Sequence, residues 1–346
     1  MISSESSVAS DIAKHLKGNF SFVQHDSVVR RIRRFFNNSL FDPYSFYDSI
    51  INHVISSFKA KHPDKRVHII IDHMFSHDNY SVFMISMRIG KQGIPLWFRC
   101  FKGKNNPLAF NESLLIQGIN FVSSLFDSSF NLIFLADRWF NSTSLMNHIH
   151  SLGHYFCFRL KRNINIDVFD KREGHIISKS LDDLFVYKRR SNFLFDVPIS
   201  NHLFNVNIAI SKSDNVSDPW IIATNSDPRR AIKDYGYRFG AIECLFKNQK
   251  SNGFYIEAIN NASISSFTTM YTLVCFASLF LTILGTDFTK NTRCYSKVKF
   301  TTHKVYGGKY KKRVLSLFNT GLTLFKLAFN SPVYIRLPFN FILYDI

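Results

Sequence analysis

The sequence predicts a mixed α/β fold: a mixed sheet flanked by helices, with an inserted β-rich subdomain and a helical N-terminal arm. Two short β-branched runs, Val67-His-Ile-Ile-Ile-Asp72 and Leu132-Ile-Phe-Leu-Ala-Asp137, read as buried strands that each end in a carboxylate. Between and after them, hydrophobic periodicity alternates between two and 3.6 residues, giving the order β-β-β-α-β-α-β. The third observation is a basic, helix-like run, 235–250, placed well after the second aspartate.

The N-terminal arm covers 1–62. Residues 28–36 hold Arg30, Arg31, Arg33 and Arg34, and 44–58 show apolar residues at helical spacing after the turn or cap signal Asp42-Pro43. The arm suits phosphate contact, and equally suits packing on the next domain. The core begins with the 67–72 strand. Strands at 80–89 and 94–101 follow, joined by a turn at Gly90-Lys-Gln-Gly93. A helix is expected over 112–126, the second aspartate-ended strand over 132–137, a helix over 141–152 capped by Asn141 or Ser142, and a fifth strand over 154–161. If the first and fourth strands are neighbours, Asp72 and Asp137 project side by side. His73 then points to the opposite face as a structural residue.

Residues 163–218 carry short strand-like pieces at 193–197 and 203–210, which define the inserted β-rich subdomain. Trp220-Ile-Ile-Ala-Thr-Asn225 returns to the core as a buried strand, so the catalytic-type domain is expected to comprise 63–162 and 219–290. The run 264–284 has no charged residue and could span a bilayer by length, but it holds four threonines and three serines and reads as a buried helix. The remainder, 291–346, mixes lysines and tyrosines and then turns apolar, with a helix expected over 314–329.

Composition narrows the partners. The chain has 346 residues, 43 Lys+Arg against 25 Asp+Glu, and a net charge of +18. Such a field favours an anionic partner such as nucleic acid. Five cysteines without close Cys/His spacing indicate neither a disulfide framework nor a zinc site, and a reducing cytosol is the simplest setting. The polar, serine-rich start shows no signal-peptide pattern.

The chemistry rests on three carboxylates: Asp72, Asp137 and Glu243. Hard oxygen donors converging from separate elements suit Mg²⁺, and a pair of such ions suits in-line displacement at phosphorus. On a helix, Lys247 and Lys250 lie at i+4 and i+7 from Glu243 and share its face. A solvated face of Glu–Lys pairs is the plain alternative. Arg138 and Trp139 follow Asp137 directly, and Trp139 could stack on a base or cap the sheet. Arg159 and Lys161 close the fifth strand on one face, where phosphate contact is plausible.

Ile69-Ile-Ile-Asp72-His, Phe134-Leu-Ala-Asp137-Arg-Trp-Phe140, Phe156-Cys-Phe-Arg-Leu-Lys161, Pro219-Trp-Ile-Ile-Ala-Thr-Asn225 and the 235–250 signature together resemble the DDE transposases of bacterial insertion sequences, in the type-4 insertion-sequence group. The resemblance spans about residues 66–285. It implies a ribonuclease-H-like catalytic domain, Asp72, Asp137 and Glu243 as ligands for two Mg²⁺ ions (with Mn²⁺ as substitute), and DNA contacts from Tyr235, Arg238 and Lys250. It also implies cut-and-paste transposition at terminal inverted repeats, double-stranded DNA as partner, a homodimer in the synaptic complex, and a cytoplasmic, nucleoid-associated setting with no membrane. The family signature is similar to Tyr-x2-Arg-x3-Glu-x6-Lys, whereas four residues separate Arg238 from Glu243 here. That extra residue turns Arg238 about 100° off the Glu243 face of a continuous helix. Gly236 and Gly240 suggest a helix beginning only near Gly240, with Arg238 in an adaptable entry segment. Tyr237 competes with Tyr235 for its role. A transposase-derived DNA-binding protein without cleavage activity is the second expectation.

Overall fold

A computed structural model describes residues 1–17, 24–62, 66–76, 80–103, 111–170, 174–181, 191–199, 204–211, 218–251, 253–259, 262–290, 300–305, 308–313 and 315–330. Helices α1 (Ala9–Lys17), α2 (His25–Phe36) and α3 (Pro43–Lys61) form the N-terminal arm. Asp42 caps α3 by accepting from the Tyr44 and Ser45 amides, and Pro43 supplies the first helical φ. Helix α1 was not legible as an element. It packs through Ala9 and Ala13 on Val28, Val29 and Ile32 of α2, which leaves Arg30, Arg31, Arg33 and Arg34 in solvent.

Strands β1 (Arg66–Ser76), β2 (Tyr80–Ile89) and β3 (Gln92–Lys102) are followed by α4 (Glu112–Ser124), β4 (Asn131–Ala136), α5 (Thr143–Ser151) and β5 (Tyr155–Arg159). This is the expected order. The hairpin turn is tighter than expected: Ile89 already pairs with Gln92, leaving Gly90 at φ +57° and Lys91 as a two-residue loop. Ser142 caps α5 by accepting from the Leu145 amide.

Strands β6 (Asn165–Asp170) and β7 (His175–Ser180), absent from the sequence reading, form a separate two-stranded sheet. Strands β8 (Ser191–Ile199) and β9 (Phe204–Ser211) instead join the main sheet through β10 (Trp220–Thr224). The result is an eight-stranded mixed sheet of order β3-β2-β1-β4-β5-β10-β9-β8. The stretch expected as an inserted subdomain thus contributes two strands to the central sheet and one hairpin beside it. Only β1–β4 and β4–β5 are parallel; the other paired strands run antiparallel.

Helix α6 (Pro228–Lys250) lies against this sheet, and α7 (Ile264–Lys290) packs on β3, α3 and α8 (Leu317–Asn330). Helix α6 corrects the sequence reading. It is continuous over 23 residues, with no start near Gly240, because Asp227 caps it at the Arg229 amide and Pro228 occupies its first turn. Gly236 and Gly240 each weaken a helix by about 1 kcal/mol. Tertiary packing outweighs them: Trp220 stacks on Phe239, with centroids 5.2 Å apart, and meets Tyr235 edge-on at 5.3 Å.

Helix α7 is long and apolar enough to cross a membrane, but 83% of its apolar window is buried inside the protein. Thr272 and Thr282 return hydrogen bonds to the helix's own carbonyls, Thr268 O and Ser278 O, and so are satisfied without water. Gly285 and Gly321 let α7 and α8 touch backbone to backbone; a Cβ on either would lie 1.9 Å from a carbonyl oxygen of the other helix. In the C-terminal region, Phe300–Val305 and Gly308–Arg313 form the hairpin β11–β12. Other parts of the expected basic tract, including Lys297 and Lys299, lie outside the described residues.

Candidate nucleic-acid site

The sheet register places the two aspartates. Parallel pairing of β1 with β4 ends at Ile71 opposite Ala136. Asp72 and Asp137 occupy the next step, at the carboxyl end of the parallel ladder. Strand β1 does not stop there, as the sequence suggested, but continues to Ser76 on its antiparallel pairing with β2. Asp137 leaves its strand and caps the 3-10 turn Arg138–Phe140, accepting from the Arg138 amide.

Alternation along β1 sends Arg66, His68 and Asp72 to the α6 face. His73 points the other way, among Phe75, Phe140 and Trp139, as expected of a structural residue. Burial lowers its pKa. On the α6 face, Arg238 Nη2 lies 2.8 Å from Asp72 Oδ2 and 3.7 Å from Asp137 Oδ2. Only 8% of the Arg238 side chain is exposed. Burial pushes the Asp72 carboxyl up, and the Arg238 charge only partly offsets this. For Arg238 burial acts downward, but the neighbouring acidic groups outweigh it and hold its pKa above the usual value. Arg238 therefore sits in the site as the counter-cation of both aspartates.

One turn earlier, buried Asp234 receives Arg66 Nη2 at 2.6 Å and lies 3.1 Å from His68 Nε2. These contacts fix the rotation of α6 over β1. Tyr235 is fully buried, its hydroxyl has no hydrogen-bond partner, and burial pushes its pKa up to about 12. Tyr237 is engaged elsewhere, edge-on to His68 and under the Arg88 guanidinium at 4.0 Å.

Glu243 is not brought to this pair. Five residues beyond Arg238 on one continuous helix, it is rotated about 140° away and stands exposed, as does Lys247. The inward positions of the next turns are Ile242, Leu245 and Gln249, all buried. Beyond Arg238, α6 heads for the start of β3: the space at Gly93 is bounded by Ala241 O and Leu245, and Asn248 donates to Gln92. Lys250 pairs with Glu257 at 3.0 Å. Among the described residues no group of three His, Cys, Asp or Glu side chains is assembled. Two hard carboxylates at adjacent strand ends are donors of the type a divalent ion takes, and here Arg238 stands against both of them. The third expected ligand lies on another face of α6.

A second charged cluster adjoins the first. Asp218 Oδ2 accepts from Arg159 Nη2 at 2.8 Å and from Arg138 Nη2, and Arg162 Nη1 lies 3.9 Å from Asp218 Oδ1. Burial would raise the Asp218 pKa, but the hydrogen bond from Arg138 and the three positive charges outweigh it and hold the carboxyl below its usual range. Trp139 is exposed beside this cluster, 60% accessible, with its ring 5.4 Å from His73. Lys161 is exposed and Arg159 half-buried. Sequence reasoning found Arg138 and Arg159 but missed Arg162, Asp218 and Asp234. Antiparallel pairing of β5 with β10, Arg159 opposite Ile222, is what brings Asp218 to the end of β5, and nothing local in the sequence marks that pairing.

No family model and no curated protein matches the chain. Among solved structures it is similar to the Argonaute of Marinitoga piezophila, determined in complex with a 5′ OH guide RNA and target DNA. The identity is 12% and the TM-score 0.23, with 60% of this chain covered and 29% of the Argonaute chain. So loose an overlap assigns no fold, and the strand order and the site stand on their own geometry.

Proposed function

We propose that the chain is a DNA transposase that cuts and rejoins phosphodiesters at the inverted repeats ending an insertion sequence. One observation carries the reading: Asp72 and Asp137 at matching positions on neighbouring parallel strands, within a β3-β2-β1-β4-β5 order in which only β1, β4 and β5 are parallel. The neighbouring first and fourth strands agree with the expectation drawn from the chain order β-β-β-α-β-α-β. The +18 charge supports a polyanionic partner.

In this reading Asp72 and Asp137 hold Mg²⁺, or Mn²⁺, jointly. The metal, when bound, supplies charge stabilisation to the attacking and leaving oxygens. The chain's residues orient the strand. Arg138, Arg159 and Lys161 take backbone phosphates, Trp139 offers an exposed ring to an unstacked base, and the Arg238 guanidinium turns from the carboxylates toward a phosphate oxygen. Water then attacks phosphorus, the bond to the 3′ oxygen breaks and that oxygen leaves with a proton from the water; the freed 3′-hydroxyl attacks a second phosphodiester and expels that strand's own 3′ oxygen, which takes up the hydroxyl proton. Glu243, the third ligand implied by the resemblance, would join once DNA has shifted α6. Joining two element ends calls for two copies of the chain.

A second reading is favoured by a specific observation: Arg238 fills the space between the aspartates while Glu243 faces solvent. It is a transposase-derived protein that binds DNA and does not cut. Incubation of DNA carrying the element ends with Mg²⁺ or Mn²⁺ separates the two. Nicking at the boundary by wild type, lost in Asp137→Ala with binding retained, supports the transposase. Binding without any nick supports the second reading.

A further inference from the structure

The two charged clusters at the carboxyl end of the sheet are chemical opposites. In one, an arginine holds two carboxylates; in the other, a carboxylate is held by three arginines. We infer that Arg138, Arg159 and Arg162 form a binding site for a nucleic-acid backbone phosphate, and that the Asp218 carboxylate occupies it in the free protein as an internal stand-in. This deepens the DNA-binding part of the proposed function and rests on it.

Three guanidinium groups converge on the one Asp218 carboxylate, which is the donor arrangement that a phosphate group would meet in its place. Guanidinium groups engage carboxylate and phosphate oxygens through the same planar donor geometry, so the pocket that Asp218 fills also suits phosphate. The cluster is partly buried, with Arg159 13% exposed, while Arg138 at 39% and Arg162 at 41% open it to solvent. A surface ion pair would not need three partners. Asp218 Oδ2 takes both hydrogen bonds while Oδ1 has none and faces Arg162 only as an ion pair at 3.9 Å, where a phosphate offers more acceptor oxygens.

One neighbour points to a strand passing over this site. Trp139 follows Arg138 directly and shows 60% of its surface to solvent, so a base adjoining the held phosphate meets a ring. Because Arg138 follows Asp137, a phosphate in this site sets the neighbouring phosphodiester beside the aspartate pair.

Removing the stand-in should strengthen binding. The experiment is fluorescence anisotropy of full-length protein with a labelled 20-nucleotide duplex, in EDTA, across a salt series. Asp218→Asn is expected to bind several-fold tighter than wild type at equal salt. Arg162→Gln is expected to bind several-fold more weakly and to lower the slope of log K against log salt by about 1. An Asp218→Asn protein with wild-type melting that binds equally or more weakly overturns the inference. If Asp218→Asn does not fold, Arg138→Gln and Arg162→Gln decide: unchanged affinity and slope in both overturn it, and a reduced slope supports it. EDTA keeps this result apart from the cleavage reading. Tighter binding by Asp218→Asn in a protein that never nicks leaves the phosphate site standing and removes the transposase. Nicking by a wild type whose Asp218→Asn form binds no tighter does the reverse.

Discussion

The inward and outward faces of α6 behave as two different helices. Inward, Asp234, Tyr235, Arg238, Ile242, Leu245 and Gln249 are buried and tie the helix to its neighbours; outward, Glu243 and Lys247 are exposed. The signature that makes this stretch recognisable is divided between the two, because Arg238 and Glu243 are five residues apart rather than four. Motif content and motif geometry are thus separable, and one inserted residue is enough to part them.

The sharpest way to break the contrast is to remove the inward cation. Arg238→Ala leaves Asp72 buried beside Asp137 with no guanidinium between them, and should cost about 3–5 kcal/mol at neutral pH. The sign with pH follows from Asp72. Its folded-state pKa is already raised by burial and would rise further without Arg238. A raised carboxyl pKa gives stability that is full in acid and lost as pH rises through the folded value. The deficit of Arg238→Ala should therefore shrink on acidification, as urea unfolding at a series of pH values would show. Mg²⁺ or Mn²⁺ should also raise the melting temperature of Arg238→Ala more than that of wild type. An equal response in both proteins would remove the aspartate pair as a metal site.

Next in size is Ile242→Ala. Ile242 is fully buried, and truncation should cost about 2–4 kcal/mol through lost burial and a residual cavity. Asp234→Asn is expected to cost about 2 kcal/mol, because the amide cannot accept charge-assisted bonds from both Arg66 and His68. The Asp234 pKa is lowered, since Arg66 and His68 outweigh the opposing effect of burial. Its contribution is therefore present above the unfolded carboxyl value and fades as pH falls through the folded one. A difference between Asp234→Asn and wild type that persists undiminished in strong acid would assign the loss to packing instead of charge.

Much of this arrangement was legible in the sequence. Alternation and β-branching marked β1, β2, β4, β5 and β10 because those strands are buried on a regular pleat, and Asp72 and Asp137 followed from strand order alone. What failed was long-range. The helix-starting role given to Gly240 ignored Trp220, which braces the preceding turn from a different strand. Pairing of β8 and β9 into the main sheet depends on β10, and the Asp218 cluster on the β5–β10 register. Neither leaves a local trace. The β6 strand was legible and overlooked, since Asn165-Ile-Asp-Val168 alternates as a half-buried strand does, whereas in β7 the adjacent Ile176 and Ile177 break the pattern.

The smallest expected stability effect separates the two faces most cleanly. Glu243 adjoins Ile242 but is exposed, so Glu243→Ala should shift unfolding by no more than about 0.5 kcal/mol. The same substitution should abolish Mg²⁺-dependent nicking if DNA turns α6 far enough to carry the carboxylate to Asp72 and Asp137. Stability and cleavage then part company at one residue, the reverse of Ile242→Ala, where both fall together. Full nicking by Glu243→Ala would mean that the aspartate pair acts without a third acidic ligand. Glu243 would then be a surface residue of a basic helix, and the extra residue after Arg238 would have cost the protein nothing.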